Sequence, residues 1–502
     1  MGPFSPADLR PELRNALSGL PPGQVSPVGK LGSEFFILEL ISPSETEWSI
    51  ENGAATEALK TRRYADAAKS FSKAVALAEK FGADDDRLAE SLNGLAETYN
   101  LQENFAGTAS VYKRILSIRW SADSNKGNPA VGTLLDRFSD VLALAYFRGS
   151  QFEEALKKYQ TALNETPASE ALYLSMTSRL VKAELTAEAE DVMQLAEGKF
   201  PESRRLRYKA AEMYRDSGRM QKALEVFEEA SRMKAPPSMP ADLDSLQLSF
   251  IYQRIGGINT DLTRFDAAIA AYKKALEISP KNADARMALG DVYLRRGQRP
   301  EALAEYSVLV SAYPDKASPH SHFADAKLQM GDFAEATAAA DRAVKIDPNE
   351  RKAHYVKGLA LVRMGRAQEG QHELDEYLRQ EKEAQAQIDE ERSAIASNRG
   401  SADLVLQGHA EEAIASFKKS IQNHPATTAI RFNFGIALGL IGRHADAVSA
   451  LRELIGGTSG EDFLIDKALA REYETLKDAK TSQKYEATYI RNMDTALEEE
   501  LH

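Results

Sequence analysis

The stretch ALGDVYLRRGQRPEALAEYSVLVSAYP, residues 288–314, carries the pattern that decides the fold. Ala302 is followed four residues on by Tyr306 and three further on by Leu309, with Gly297 ahead of them and Pro314 behind. The same motif of a small residue, a large one and a small or apolar one occurs eleven times, starting at Ala67, Thr108, Ala155, Ala189, Ala223, Ala268, Ala302, Ala336, Gly370, Ala413 and Ala447. Six of the intervals are 34 residues: 155 to 189 to 223, 268 to 302 to 336 to 370, and 413 to 447. A fixed period of this length marks a repeat architecture, in which each unit buries its apolar face only by stacking on its neighbours. Pro167, Pro201, Pro280, Pro314, Pro348 and Pro425 end the second helix of a unit, because proline has no N–H to give to a helix interior. A glycine five residues before the motif, as at Gly218, Gly297, Gly331, Gly365, Gly408 and Gly442, lets one helix stop and the next begin. Each unit therefore reads as helix, tight turn, helix, and the fold class as all-α.

With Leu289, Gly290, Tyr293, Gly297, Ala302, Tyr306 and Pro314 in these places, the sequence resembles the tetratricopeptide repeat family over roughly residues 50–455. The resemblance implies a right-handed superhelical solenoid of about eleven repeats, with small residues letting paired helices approach and large ones filling the gaps. Intervals longer than 34 residues mark interruptions. WSADSNKGNPAVG (120–132) and KAPPSMPADLDSL (234–246) are rich in Pro, Gly, Ser and Asp and are expected to be surface loops or hinges. QEKEAQAQIDEERSAIAS (380–397) has strong helix formers and charges of both signs, which predicts extended helices near 375–398 projecting from the stack. The expected organisation is residues 1–50 as an N-terminal segment and linker and 51–370 as a block of about eight repeats. Further repeats follow over 371–460, and 461–502 form closing helices with a polar outer face.

Composition excludes several functions. The 502 residues are 43% hydrophobic and 27% charged, enough for a large core. The net charge of −12 opposes nonspecific binding to nucleic acid or an anionic membrane, which depends on Lys and Arg neutralising phosphates. No apolar run reaches the roughly 18 residues of a membrane span. No signal-peptide layout follows Met1, so the chain as given is expected in the cytoplasm, or in the periplasm if a signal and further sequence lie upstream. The absence of cysteine removes disulfides, thiolate metal sites and a cysteine nucleophile. HELDE at His372 lacks the second histidine of a zinc-protease helix, and PHSH (319–322) has two histidines without further ligands nearby, so both read as surface or packing residues. IGG (255–257) and IGGTSG (455–460) follow helices and lack the lysine of a phosphate-binding loop, so they read as helix stops. The expectation is a protein that is not an enzyme, needs no cofactor and binds protein or peptide partners; its oligomeric state is not legible.

In the family it resembles, the first helix of each repeat lines the concave side, where peptides lie. The asparagine clamp used there for chaperone carboxylates is absent; that position holds Glu97, Leu144, Ser178, Glu212, Gly257, Asp291, Asp325, Leu359, Ala402 and Ile436. An asparagine ladder is absent too, with Asn433 alone in place. Instead, the acids Glu212, Asp291 and Asp325 are joined by Arg215 and Arg295, with Phe147, Tyr208, Tyr355 and Phe432 on adjoining positions. Glu212/Arg215 and Asp291/Arg295 stand at helical i,i+3 and i,i+4 spacing, so each pair alone reads as self-neutralised surface charge. Together these nine residues read as a groove for an extended or helical peptide, held by aromatic contacts and mixed charge.

The head of the chain follows another pattern. LRPELRNALSGL (9–20) puts Leu13, Ala16, Leu17 and Leu20 on one helical face, with Pro11 in the first turn. QVSPV is expected to be extended, GKLGS to turn, and EFFILELI (34–41) to form a strand. Leu9, Pro11, Glu12, Leu13, Ala16, Leu20, Gly23, Val25, Ser26, Pro27 and Val28, with GPF at 2–4, resemble the C-terminal half of a parvulin-type peptidyl-prolyl isomerase over about residues 2–42. The resemblance implies a small α/β remnant. The family's first strand and catalytic histidine have no counterpart, and Phe36 takes the place of its second histidine, so isomerase activity is not expected from this segment. A folding factor derived from a parvulin-repeat fusion is the alternative function. Structurally, the segment is expected to cap the first repeat by burying its apolar strand.

Overall fold

The computed structural model describes residues 10–17, 24–31, 34–38, 42–123, 127–235, 239–456 and 462–499. Its elements run α1 (Pro11–Leu17), β1 (Gly29–Leu31), β2 (Glu34–Phe36), α2 (Pro43–Lys60), α3 (Tyr64–Ala78), α4 (Asp86–Leu101), α5 (Phe105–Trp120), α6 (Ala130–Ala143), α7 (Ser150–Glu165) and α8 (Glu170–Lys182). They continue with α9 (Thr186–Lys199), α10 (Arg204–Asp216), α11 (Met220–Arg232), α12 (Ala241–Asp261), α13 (Phe265–Ile278), α14 (Ala283–Arg295), α15 (Arg299–Ala312), α16 (Ala317–Met330) and α17 (Phe333–Ile346). The last are α18 (Arg351–Arg363), α19 (Ala367–Leu406), α20 (Ala410–Asn423), α21 (Thr428–Leu440), α22 (His444–Arg452), α23 (Asp462–Thr475) and α24 (Ala479–Glu499). Each of the eleven motifs falls on a second helix, and α23 with α24 form the closing pair, so the chain is the expected helical solenoid.

The quoted segment shows why the units form. Gly297 takes φ +75°, and Gln298 N–H reaches back to the Tyr293 carbonyl at 2.8 Å, which ends α14 in a left-handed turn before α15 starts. The position recurs in every unit but the one formed by α6 and α7, including five places where it is not glycine: Arg62, Glu103, Glu184, Thr263 and Lys477 all have φ between 56° and 62°. At Thr263, φ 57°, a β-branched side chain is forced into this region, where the carbonyl crowds Cβ. Thr263→Gly is therefore expected to raise stability by about 1 kcal/mol in urea unfolding; an unchanged or lowered midpoint would contradict this account of the turn.

In the units α12–α13 and α14–α15, the first helix offers a glycine and the second an aromatic ring. A Cβ on Gly290 would stand 2.5 Å from the Tyr306 ring, and one on Gly256 would stand 2.6 Å from Tyr272. The missing side chain lets the ring lie against the helix backbone, and Tyr272, Leu289, Tyr293 and Tyr306 form one continuous core with Ala268, Ala275 and Ala302.

The chain divides into two compact units. One is residues 180–396; the other joins residues 1–179 to 397–502 and is built from both ends of the chain. In this second unit α24 packs along α5 and α23 beside α6. Trp120 is only 2% exposed and gives its indole N–H to Asp494 at 2.9 Å; Ser139 and Tyr489 hydroxyls meet at 2.8 Å, and the Arg179 guanidinium reaches the Ala496 carbonyl at 2.6 Å. The closing helices thus do more than present a polar cap: Met493 and Leu497 are fully buried.

The reading of 120–132 as a surface loop holds in part: α5 ends at Trp120, α6 begins at Ala130, and Ala122, Asp123 and Pro129 between them are exposed, but its two ends are not at the surface. Trp120, Ser121 and Val131 are buried, Ser121 bridges Ala168, and Ser169 N–H bonds the Trp120 carbonyl at 2.9 Å. The polar composition signals the break in the repeat, and a partner from the far end of the chain covers the break. The stretch 234–246 is likewise only partly a loop, since α12 already begins at Ala241. The extended helices near 375–398 are one helix of 40 residues, about 60 Å long. Residues 381–393 of α19 are exposed all round except at Ala384, as their polar composition requires.

At the N-terminus, Gly29–Leu31 is a strand rather than a turn and pairs antiparallel with Glu34–Phe36. The Phe36 ring covers Gly29, where a Cβ would collide with it. The expected cap is not seen on the described residues: Phe35 is 72% exposed, and Val25, Val28 and Ile37 are exposed as well. Residues 2–4, Leu9, Leu20, Gly23 and the 39–41 end of the expected strand lie outside the described residues.

Candidate functional site

Seven of the nine sequence-selected residues belong to the unit of residues 180–396 and stand on its first helices: Tyr208, Glu212 and Arg215 on α10, Asp291 and Arg295 on α14, Asp325 on α16 and Tyr355 on α18. Neighbouring first helices adjoin from α12 through α18, so the 34-residue period brings equivalent positions into a row. Phe432 is half-buried on α21 in the other unit. Phe147 is corrected: it is 1% exposed, because α6 ends at Ala143 and the chain then turns it into the core, so it offers no contact surface.

The row is tied together across repeats. Glu212 pairs with Arg215 at 2.9 Å, as its spacing predicts, and also with Nε of Arg254 on α12 at 3.1 Å; the same Nε donates to the Tyr208 hydroxyl at 3.2 Å. Arg215 further meets Asp216 at 2.8 Å. Asp291 does not pair with Arg295. It accepts the Tyr306 hydroxyl at 2.6 Å and stands 3.6 Å from His322 of α16. Burial, with the neighbouring Asp291 carboxylate, pushes the Tyr306 hydroxyl well above its ordinary pKa, so it stays a donor. Asp325 faces Lys352 of α18 at 3.3 Å and accepts from Gln329 at 3.1 Å. Arg295 is exposed and has no ion-pair partner among the described residues. Tyr355 is 44% exposed, its ring 5.3 Å from that of Tyr377.

Sequence reasoning missed Arg254, Lys352 and Phe250. Phe250 is 41% exposed on α12, one turn ahead of Arg254. Their first-helix position was a signal, but the partners of Arg254 and Lys352 lie a repeat away.

Two histidines sit at equivalent repeat turns. His320 is buried with Nε2 3.0 Å from the Pro314 carbonyl, and His354, one 34-residue period later, makes the same contact to Pro348 at 3.0 Å. Arg286 and Arg431 reach Pro280 and Pro425 in the same way, so these residues tie a first helix to the preceding turn. Burial alone would raise the Glu373 pKa, but hydrogen bonds from Lys357 and His354 outweigh it and hold the carboxyl below its usual range. His372 is exposed, and among the described residues no group of three or more His, Asp or Glu could hold a metal ion. No described helix is long and apolar enough to cross a membrane.

Residues 178–240 and 323–384 match one tetratricopeptide repeat family model, and residues 261–321 match another. These segments are tetratricopeptide repeats. The matched TPR segments contain all seven residues of the row and none of the parvulin-like N-terminal stretch. No curated protein matches the chain. Among solved structures, the chain is similar in fold to MamA (41-end) from Desulfovibrio magneticus RS-1, at 20% identity over 36% of this chain and 96% of that one, with a TM-score of 0.31. It is also similar to YrrB, described as a TPR protein with an unusual peptide-binding site, at 19% identity over 38% and 91%, TM-score 0.30. A third is the C-terminal part of a TPR repeat-containing protein from Cytophaga hutchinsonii, at 14% identity over 52% and 98%, TM-score 0.35.

Proposed function

We propose that the chain is a non-enzymatic scaffold whose TPR block of residues 180–396 binds an extended segment of a protein partner along its first helices. The observation that carries this reading is the row from Tyr208 to Tyr355. It combines an aromatic side chain open to solvent, Tyr355 on α18, with a cation that has no ion-pair partner among the described residues, Arg295 on α14, and α16 adjoins both helices. An extended peptide would lay alternate side chains against Tyr208, Phe250 and Tyr355 and set a carboxylate against Arg295, while the paired acids and bases space these contacts.

A random peptide library panned on the intact chain tests this. Tyr208→Ala and Tyr355→Ala are each expected to weaken the selected peptides about tenfold, the range for an aromatic contact at an interface. Val308→Ala, at an exposed second-helix position, is expected to leave binding unchanged. Equal affinity for all three variants would refute the assignment.

A further inference from the structure

α12 is longer than its neighbours and carries the surplus as apolar surface. It has 21 residues where α10, α14 and α18 have 13, and the added turns lie at its N-terminal end. On them Leu243 is 45% exposed and Leu246 42%, and the exposed Phe250 follows. The three stand at i, i+3 and i+7, so they form one ridge along about 11 Å of helix. A single exposed leucine is ordinary, whereas three large apolar side chains in line mark a contact surface.

α10 lies alongside. Its buried Arg204 pairs with Asp244 of α12, and Arg254 of α12 meets Glu212 and Tyr208 of α10, so polar contacts hold the two helices together at two levels. The offset of 45 residues between the motifs at Ala223 and Ala268 makes Arg205 the equivalent of Phe250 and Lys209 that of Arg254. Arg205 and Lys209 therefore share a face with the C-terminal end of the ridge. Both are exposed, and neither has an ion-pair partner among the described residues. The acids between the helices are already taken, Asp244 by Arg204 and Glu212 by Arg215 and Arg254. The open acids nearby, Glu202 and Asp242, lie toward the N-terminal side of the two helices.

We infer that this ridge docks an acidic amphipathic helix of the protein partner. Apolar side chains at helical spacing on that helix meet Leu243, Leu246 and Phe250, and aspartates or glutamates on its flank meet Arg205 and Lys209. The helix extends the peptide groove proposed above from Phe250 outward, and its placement rests on that reading. Charge complementarity selects the occupant: two open cations beside an apolar ridge fit an acidic flank, and a basic helix would meet them as like charges. A second copy of the chain is a poorer fit, because so short a ridge covers far less than the roughly 800 Å² a side of a stable dimer. The net charge of −12 opposes an anionic membrane.

Fluorescence anisotropy on the intact chain tests this with three labelled probes. One is a short designed helical peptide with leucines on one face and glutamates on its flank, the second has lysines for the glutamates, and the third is an extended peptide selected from the library. The glutamate helix is expected to bind about tenfold more tightly than the lysine helix, and Arg205→Ala combined with Lys209→Ala to remove that preference. Leu243→Ala and Leu246→Ala, which change exposed side chains, are each expected to weaken the glutamate helix about tenfold and to leave the extended peptide unchanged. Tyr355→Ala is expected to do the reverse, weakening the extended peptide alone. Equal binding of the two helices, or full affinity in the Leu243 and Leu246 variants, overturns the helical site, and the groove reading still stands if Tyr355→Ala weakens the extended peptide. Self-association in sedimentation, or cosedimentation with phosphatidylserine vesicles, that Leu246→Ala abolishes gives the ridge to another occupant and likewise overturns the proposal.

Discussion

Trp120→Ala is expected to lower the stability of the unit built from the two chain ends by about 3–5 kcal/mol, the cost of emptying a buried aromatic site. Trp120 is the largest fully buried side chain of the protein's described residues, and it fills the gap where the interval between motifs stretches from 108 to 155. Its removal leaves a cavity against α24 and takes a hydrogen bond from the partly buried Asp494 carboxyl, which keeps its pair with Arg119. Limited proteolysis should then cut residues 462–499 at a denaturant concentration where the parent resists, with residues 180–396 still protected. Unchanged protection of 462–499 would mean that the C-terminal helices do not depend on this joint.

Tyr306→Ala is expected to cost about 3–5 kcal/mol in the other unit, and its effect is coupled to Gly290. The Tyr306 ring is fully buried against the Gly290 backbone, and its hydroxyl bonds Asp291. Gly290→Ala alone forces Cβ to 2.5 Å from that ring and is expected to destabilise by about 1–3 kcal/mol through overpacking. In the Tyr306→Ala background the same change meets an open site and is expected to stabilise by up to about 1 kcal/mol, the helix preference of alanine over glycine. Denaturant unfolding of the four proteins of this cycle measures the coupling. Additive effects would contradict the packing account of the repeat.

The repeats were legible because their physics is local. Paired helices approach closely only where one contributes a glycine or alanine, and the ring that fills the space must sit at a fixed distance along the chain, as Gly256 with Tyr272 and Gly290 with Tyr306 show. The closure was not legible because Lys113 and Glu486, or Trp120 and Asp494, are more than 370 residues apart and no periodic signal spans that distance. The polar stretch 120–132 announced an interruption truthfully, but burial by a remote helix leaves no mark on local composition. Helix formers foretold helices near 375–398 without telling that one unbroken helix runs from Ala367 to Leu406.

At the candidate site, the period placed seven residues on the first helices α10, α14, α16 and α18, whereas their partners required the tertiary structure. Asp291 turned to Tyr306 rather than to Arg295, because a buried hydroxyl must be satisfied before a surface pair forms. Arg254 and Lys352 joined the row from adjacent repeats. Phe147 looked like a surface aromatic from its position, but the early end of α6 put it inside.

The central claim is that partner binding takes place on the first-helix row of residues 180–396. Photo-crosslinking tests it most directly, with benzoylphenylalanine placed singly at 208, 355 or 308 in the intact chain and a library-selected peptide as the probe. The account predicts crosslinks to the peptide from positions 208 and 355 and none from 308. Crosslinking from 308 with silence at 208 and 355 would contradict it.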